Sequence, residues 1–325
     1  MTAPDLPAEL KAALDARLQG FSRVEAAGSA ASISKTYRDG GGSAAIRSET
    51  DALAYALARM PATYAAVTAS LNALCEIAPG FAPSTLLDVG AGPGTASWAA
   101  AEAFASLRDF ALLDANTALR ALALDLAAGS ARLGRIDYRR GEARAMLAEA
   151  EPADLVVASY MIGEIAEAER GALLALMWEK TRAALVIVEP GTPAGYGRII
   201  AARTQLIASG AHVAAPCPHD GKCPLSAPDW CHFTQRLPRS RAHKRIKEAE
   251  VPFEDEKFSY VALTRAAVAE HPARVLAQPV VGKVEVSAKL CTADGLVVTK
   301  ILRRAKADYA RAKRWRWGDA LMAKD

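Results

Sequence analysis

Apolar residues recur at helical spacing in two stretches rich in Ala and Leu, residues 7–27 and 49–76, separated by the loop Gly40-Gly41-Gly42. The spacing predicts helices, read together as an N-terminal helical domain over residues 1–79. From Leu86 the pattern changes. A short apolar run, Leu86 to Val89, ends in Asp88-Val89-Gly90-Ala91-Gly92-Pro93-Gly94, after which an Ala-rich helical pattern begins. Phe110 to Leu113 then reads as a strand, Thr117 to Ala128 as a helix, Asp154 to Ala158 as a strand and Glu167 to Arg182 as a helix. Ala184 to Val188 is the next strand, ending at Glu189-Pro190-Gly191, and a helix follows at about 194–208. Strands alternating with helices predict an α/β, Rossmann-like domain over residues 80–208, a parallel sheet with helices on both faces.

The alternation breaks at Ala215-Pro216-Cys217-Pro218-His219-Asp220-Gly221-Lys222-Cys223-Pro224, which has too much Pro and too few apolar residues for a core element. We read residues 209–257 as a cysteine-rich insertion. Phe258 to Leu263, Val280 to Leu290 and Leu296 to Leu302 are predicted strands of a small C-terminal β unit, residues 258–305. The last two are joined by the hairpin signal Thr292-Ala293-Asp294-Gly295, and residues 306–325 form a basic helix or tail.

Composition narrows the class. A chain of 325 residues, 51% apolar and 23% charged, buries a substantial core. No apolar stretch approaches the ~20 residues of a membrane span. The N-terminus mixes acids and bases without a long apolar run, so neither a secretory signal nor an acid-poor transit peptide fits, and a cytoplasmic, bacterial location is expected. Five cysteines, four of them in the C-terminal half, suit metal ligation in a reducing compartment better than a disulfide framework. The net charge of +4 is too modest to argue for nucleic acid by itself.

The glycine turn lets backbone approach a ligand where any Cβ would collide. Gly90, Gly92 and Gly94 supply the turn, and Asp88 stands just before it, where a carboxylate would repel a diphosphate but suit the aminoacyl portion of a cationic cofactor. Asp114 ends the second strand, placed to take ribose hydroxyls, and Glu142 follows the third strand region, where it could border an adenine. This pattern resembles an S-adenosylmethionine site more than a dinucleotide site and predicts a class I S-adenosylmethionine methyltransferase fold. After the fourth strand, Ala158-Ser159-Tyr160-Met161-Ile162-Gly163-Glu164 lacks the Asn/Asp-Pro-Pro-aromatic sequence of many N-methyltransferases. Tyr160 and Glu164 are the catalytic candidates, although the plainer roles, an interface aromatic and a solvated carboxylate, are preferred.

Cys217, Cys223 and Cys231 fall within fifteen residues and Cys291 opens the predicted hairpin turn. Gathered thiols point to a soft metal, but the gaps are wider than zinc-ribbon spacing and do not identify it. His219, His232 and His243 are possible substitutes, and Cys75 reads as a buried small hydrophobe.

Val188-Glu189-Pro190-Gly191-Thr192-Pro193, Ala215-Pro216-Cys217-Pro218-His219-Asp220, Cys223-Pro224-Leu225, Asp229-Trp230-Cys231-His232-Phe233 and Phe253-Glu254-Asp255-Glu256-Lys257-Phe258-Ser259-Tyr260 together resemble the mitochondrial ribosomal small-subunit methyltransferase-like family. The likeness runs from about Ile33 to Trp317-Gly318-Asp319. It implies a [4Fe-4S] cluster on Cys217, Cys223, Cys231 and Cys291, with zinc as the alternative, and association with the small ribosomal subunit during its assembly.

Arg236, Arg239, Arg241, Lys244, Arg245 and Lys247 follow the third cysteine densely, and Lys300 to Arg316, with Arg314, Trp315 and Trp317, repeats the mixture. Cations neutralise phosphates and rings stack on unpaired bases, so these runs are the candidate RNA contacts. The expected protein is an iron-sulfur-containing, methyltransferase-like factor that binds small-subunit rRNA, monomeric off the ribosome. An active S-adenosylmethionine-dependent rRNA methyltransferase and a zinc-stabilised nucleic-acid-binding protein are the alternatives.

Overall fold

The computed structural model describes residues 1–19, 28, 29, 32, 41–133, 135–247, 250–269 and 271–322, without the side chains of Ala242, Arg245 and Ile246. The predicted helix beyond residue 19, Gly40 and Ile33 lie outside these residues. Before the first strand the described residues include the helices α1 (Ala8–Leu18) and α2 (Glu49–Ile77). Ser48 starts α2 with a reciprocal cap: its hydroxyl accepts from the Asp51 amide and the Asp51 carboxylate accepts from the Ser48 amide, both at 3.1 Å.

The strand and helix alternation continues as β1 (Thr85–Val89), α3 (Thr95–Ala103), β2 (Asp109–Asp114), α4 (Thr117–Ala127), β3 (Ile136–Arg140), α5 (Ala143–Glu149) and β4 (Ala153–Ser159). It goes on through α6 (Glu167–Glu179), β5 (Thr181–Pro190), α7 (Pro193–Ala208), β6 (His212–Ala215), β7 (Phe233–Pro238), the short α8 (Arg241–Ile246) and β8 (Phe253–Thr264). The main sheet has the order β3-β2-β1-β4-β5-β8-β6, with β7 also paired to β8. Strands β1 to β5 are parallel, and β8 runs antiparallel to both β5 and β6. Neighbouring residues serve opposite faces: Leu86 and Val186 join one core, Leu87 and Leu185 the other. Both sets are apolar because helices cover both sides.

Several expected boundaries change. Strands β6 and β7 lie in the stretch 209–257 read as an insertion, yet pair with β8 of the main sheet. The helix read to Arg182 ends at Glu179, and the strand read over Val280 to Leu290 is broken at residues 282–284. The N-terminal helices are not a domain of their own, because α2 is buried around most of its circumference, and Leu53, Met60, Tyr64, Leu71 and Leu74 share one core with β1, α3 and α4. A helix with apolar residues on most sides needs more than one covering layer. Phe258 to Leu263 does form a strand, but as β8 it belongs to the main sheet.

The C-terminal unit is a second sheet of β9 (Ala273–Val275), β10 (Val280–Val281), β11 (Glu285–Thr292), β12 (Gly295–Leu302) and β13 (Ala320–Leu321), with α9 (Lys306–Ala312) between the last two. The predicted hairpin is present, Thr292 opposite Gly295, whose φ of +122° suits glycine. Residues 306–322 are not a free tail: β13 pairs with β9, and Trp315 packs on Val275, Ala288 and Leu290. Their apolar rings find more cover on the small sheet than in solvent.

Candidate functional site

The end of β1 meets the glycine turn where the backbone needs left-handed conformations, φ being +69° at Gly90, +54° at Gly92 and +78° at Gly94. A Cβ on Gly90 would lie 2.6 Å from Cβ of Met161. Asp88 is fully buried, and its Oδ2 accepts from the Ser97 amide at 3.1 Å and hydroxyl at 2.8 Å, while Oδ1 has no partner among the described residues. Burial pushes its carboxyl up to about 7. Asp114, also raised by burial, accepts from the Gly92 amide at 2.8 Å and the Asn116 amide at 2.7 Å, and the Tyr138 hydroxyl donates to the Gly92 carbonyl at 2.7 Å. The two acids foreseen around the turn therefore do stand against it. Glu142 caps α5, accepting from the amides of Arg144 and Ala145 at 2.9 Å each.

Beyond β4, Tyr160 holds a φ of +57° and donates its hydroxyl to Glu256 Oε1 at 2.8 Å, and Arg59 lies 3.9 Å from the same oxygen. A non-glycine residue in this conformation is held there by its surroundings. Glu164 accepts from the Ser43 amide at 3.0 Å and hydroxyl at 2.8 Å. Asn116 Nδ2 donates to the carbonyls of Ser43 and Ile46, each at 2.9 Å. Because β1 lies between β2 and β4, a segment pinned to Asn116 after β2 and to Glu164 after β4 crosses the mouth above the glycine turn. Sequence reasoning missed this strap, as well as the buried pair of Glu189 with Arg198 at 2.5 Å beside it. An acid ending an apolar strand was the available signal for Glu189.

The four C-terminal cysteines come together around one cavity. Cys217 follows β6, Cys231 precedes β7, Cys223 lies between them and Cys291 is on β11, so the cavity sits where the main sheet meets the C-terminal one. Tyr196, Arg203, Tyr260 and Arg274 complete its polar lining. The Tyr196 hydroxyl is 3.3 Å from the Cys223 sulfur and His219 Nε2 is 3.9 Å from that of Cys291. Burial raises Cys217, Cys231 and Cys291, the last to about 12. Among the described residues no three His, Cys, Asp or Glu side chains converge closely enough for a single ion. Cys75 lies apart, packed against the α2 side of the core.

In the basic run from β7 to β8, Arg239 and Lys247 are turned towards protein, whereas Arg236 is exposed even while paired. Arg236 forks onto Asp255 at 2.7 and 2.8 Å and stacks over Phe253. Arg239, Lys247 and His243 gather on Glu254, at 3.2, 2.6 and 3.3 Å, and against the opposing effect of burial His243 and Lys247 hold its carboxyl far below the usual range. Arg241 and Arg314 are exposed and Lys244 half-exposed, whereas the Arg245 side chain lies outside the described residues. Trp315 is occupied by packing, and Trp317 donates its indole N–H to the His232 carbonyl at 2.9 Å. His232 stands between Trp230 and Trp317 rather than in the cysteine cavity.

A parallel sheet in this order, with one antiparallel strand between the last two and a glycine turn followed by an acid on β2, defines the chain as a class I methyltransferase-type fold. Among solved structures it is similar to a magnesium protoporphyrin IX methyltransferase from Synechocystis, 14% identical with a TM-score of 0.41 over 63% of this chain and 80% of that one. Residues 49–322 match the model of the family described as mitochondrial small ribosomal subunit Rsm22, and the chain belongs to that family. It is 32% identical over 292 residues to the human mitochondrial ribosome assembly protein METTL17, covering 83% of this chain and 62% of the relative. It is 26% identical to the mitochondrial Rsm22-cox11 tandem protein 2 of Schizosaccharomyces pombe, over 66% of this chain and 32% of that one. The chain thus spans less than two thirds of each relative. No helix among the described residues is long and apolar enough to cross a membrane.

Proposed function

We propose that the protein is a methyltransferase-like factor that binds small-subunit rRNA during ribosome assembly, carrying a [4Fe-4S] cluster on Cys217, Cys223, Cys231 and Cys291. The observation that carries the reading is the convergence on one cavity of four cysteines, the outer two 74 residues apart in sequence. The donor set fits such a group: four sulfurs, with no carboxylate in the lining. Family membership supports the ribosomal part. The human relative is named as a ribosome assembly protein.

When bound, the cluster supplies four metal–thiolate bonds that cross-link the β6–β7 loops to β11. The chain's own residues do the rest. Cys217, Cys223 and Cys231 fix the loop, Cys291 fixes the hairpin, and Arg241, Lys244 and Arg314 offer accessible cations to phosphates. A bacterial cytoplasm, reducing enough to keep these thiols free, is the compartment that suits this chemistry. Anaerobic purification followed by an absorbance spectrum and iron and sulfide analysis tests the centre, and crosslinking in cells with sequencing of the bound RNA tests the partner. A colourless protein containing zinc favours the zinc-stabilised alternative, and RNA reads without small-subunit enrichment refute the ribosomal reading.

One observation favours a second reading, an active S-adenosylmethionine-dependent rRNA methyltransferase. The glycine turn retains both acids, and Asp88 keeps one buried oxygen free of any partner among the described residues. Asp88, Asp114 and the turn amides would hold the cofactor, which brings an already activated methyl group, and Tyr160 with Glu164 would border the acceptor. Methylation mapping of the crosslinked RNA in cells with and without the gene decides between the two.

A further inference from the structure

Arg203 on α7 and Arg274 on β9 reach the cysteine cavity from the two halves of the joint. They are 3% and 2% exposed. Their hydrogen bonds go to neutral carbonyls. Arg203 Nη2 donates to His219 O at 2.6 Å, and Arg274 donates from Nε to Pro216 O at 3.1 Å and from Nη1 to Gly318 O at 2.8 Å. Arg203 Nε has no partner among the described residues, and its guanidinium lies beside the Cys217 sulfur. None of the ion pairs among the described residues includes either arginine, although Arg198 has Glu189, and Arg239 with Lys247 has Glu254.

A guanidinium does not shed its proton in a protein, so carbonyls satisfy its hydrogens and leave its charge. Two buried charges without counter-ions are among the costlier things a fold can contain. Apart from two tyrosines, the cysteines are the only lining groups able to turn negative. Four thiolates on an oxidised [4Fe-4S] core, or on zinc, carry a net charge of minus two, which is the charge the two arginines would balance. We infer that Arg203 and Arg274 are the built-in counter-charges of the cysteine centre, stabilising its dianionic four-thiolate state in the buried joint. On ligation each thiol releases its proton to solvent. Uptake of one electron from an external reductant such as dithionite would add a third negative charge, which the same two cations favour. They also brace Cys217 physically, since the carbonyls they hold belong to Pro216 and His219 on either side of it.

This inference rests on the metal-centre reading proposed above, and the experiment separates the two. The full chain and its Arg203→Gln, Arg274→Gln, Arg203→Lys and Cys217→Ser variants are reconstituted anaerobically with iron and sulfide. Metal per chain, the rate of metal loss to a chelator, the midpoint potential and the melting temperature of the metal-free protein are then measured. Each glutamine variant should lose metal at least about tenfold faster than the parent and show a more negative potential. Arg203→Lys should stay nearer the parent, because it keeps the charge while losing the planar fork. The metal-free glutamine variants should melt no lower than the metal-free parent, because each removes a buried charge that has no counter-ion there. That opposite response marks a counter-charge, since a merely structural arginine would weaken both forms. Parental loss rates and potentials in both glutamine variants, with Cys217→Ser emptied, overturn the inference alone. Parent and Cys217→Ser both binding neither iron nor zinc overturn the metal centre, and the inference with it.

Discussion

Asp88→Asn should change how stability depends on pH. The Asp88 carboxyl titrates near 3.8 in an unfolded chain and is pushed up to about 7 where burial meets only the two Ser97 donors. The folded state therefore holds the proton more tightly, and stability falls as pH rises from about 4 to about 7 and then levels off. At 1.36 kcal/mol per tenfold change in proton affinity, the raised affinity costs roughly 2 kcal/mol at pH 5, where only the unfolded chain is ionised, and roughly 4 kcal/mol above pH 7. Asparagine is close in shape and never ionises. Whatever fixed cost the replacement carries, the difference between variant and parent should move in the variant's favour by about 2 to 3 kcal/mol from pH 5 to pH 8. For a chain of this length that is a relative gain of about 4 °C in melting temperature. Thermal melts of both proteins without added cofactor, at matched ionic strength between pH 5 and pH 8.5, measure it. Parallel curves would mean that Asp88 is ionised throughout, and that water or an unrecognised donor reaches Oδ1.

Further outcomes follow from the same geometry. Gly90→Ala combines a left-handed backbone with a methyl 2.6 Å from Met161 and should cost about 2 to 4 kcal/mol in urea unfolding; a loss below about 1 kcal/mol would show that Met161 yields freely. Cys291→Ser should lower metal content and open residues 210–238 to protease, while Cys75→Ser, out in the α2 core, should do neither. Replacing Arg241 and Lys244 together should flatten the slope of log RNA affinity against log salt by about 1 to 2, whereas Arg239→Gln with Lys247→Gln should act first on folding by stranding Glu254. Glu164→Gln with Ser43→Ala should speed exchange of S-adenosylmethionine, followed by stopped-flow fluorescence, if the strap from Gly42 to Ile46 covers the cofactor; an unchanged rate would place entry elsewhere.

Local pattern by itself determined β1, β2, β4, β5 and the helices α3, α4, α6 and α7, the glycine turn with Asp88 and Asp114, and the hairpin at Thr292 to Gly295, but not α5. Each depends on neighbours close in the chain: apolar runs of strand length, φ values that only glycine takes easily, and an acid at a strand end. The cysteines were legible as a metal set by residue type and family likeness, not by spacing. What only the tertiary structure decided involves partners far apart. Phe258 to Leu263 lies in the main sheet because β5 offers it an edge, and the N-terminal helices join the sheet core because α2 has no single polar face to turn to water. A run of cations looks alike in sequence whether it faces phosphate or protein. Glu254, one hairpin away, turned Arg239 and Lys247 towards protein and Asp255 paired Arg236 at the surface, while Arg203 and Arg274, 71 residues apart, met at a cavity with no acid in its lining. Charge becomes informative only when its counter-charge, or the lack of one, can be located in space.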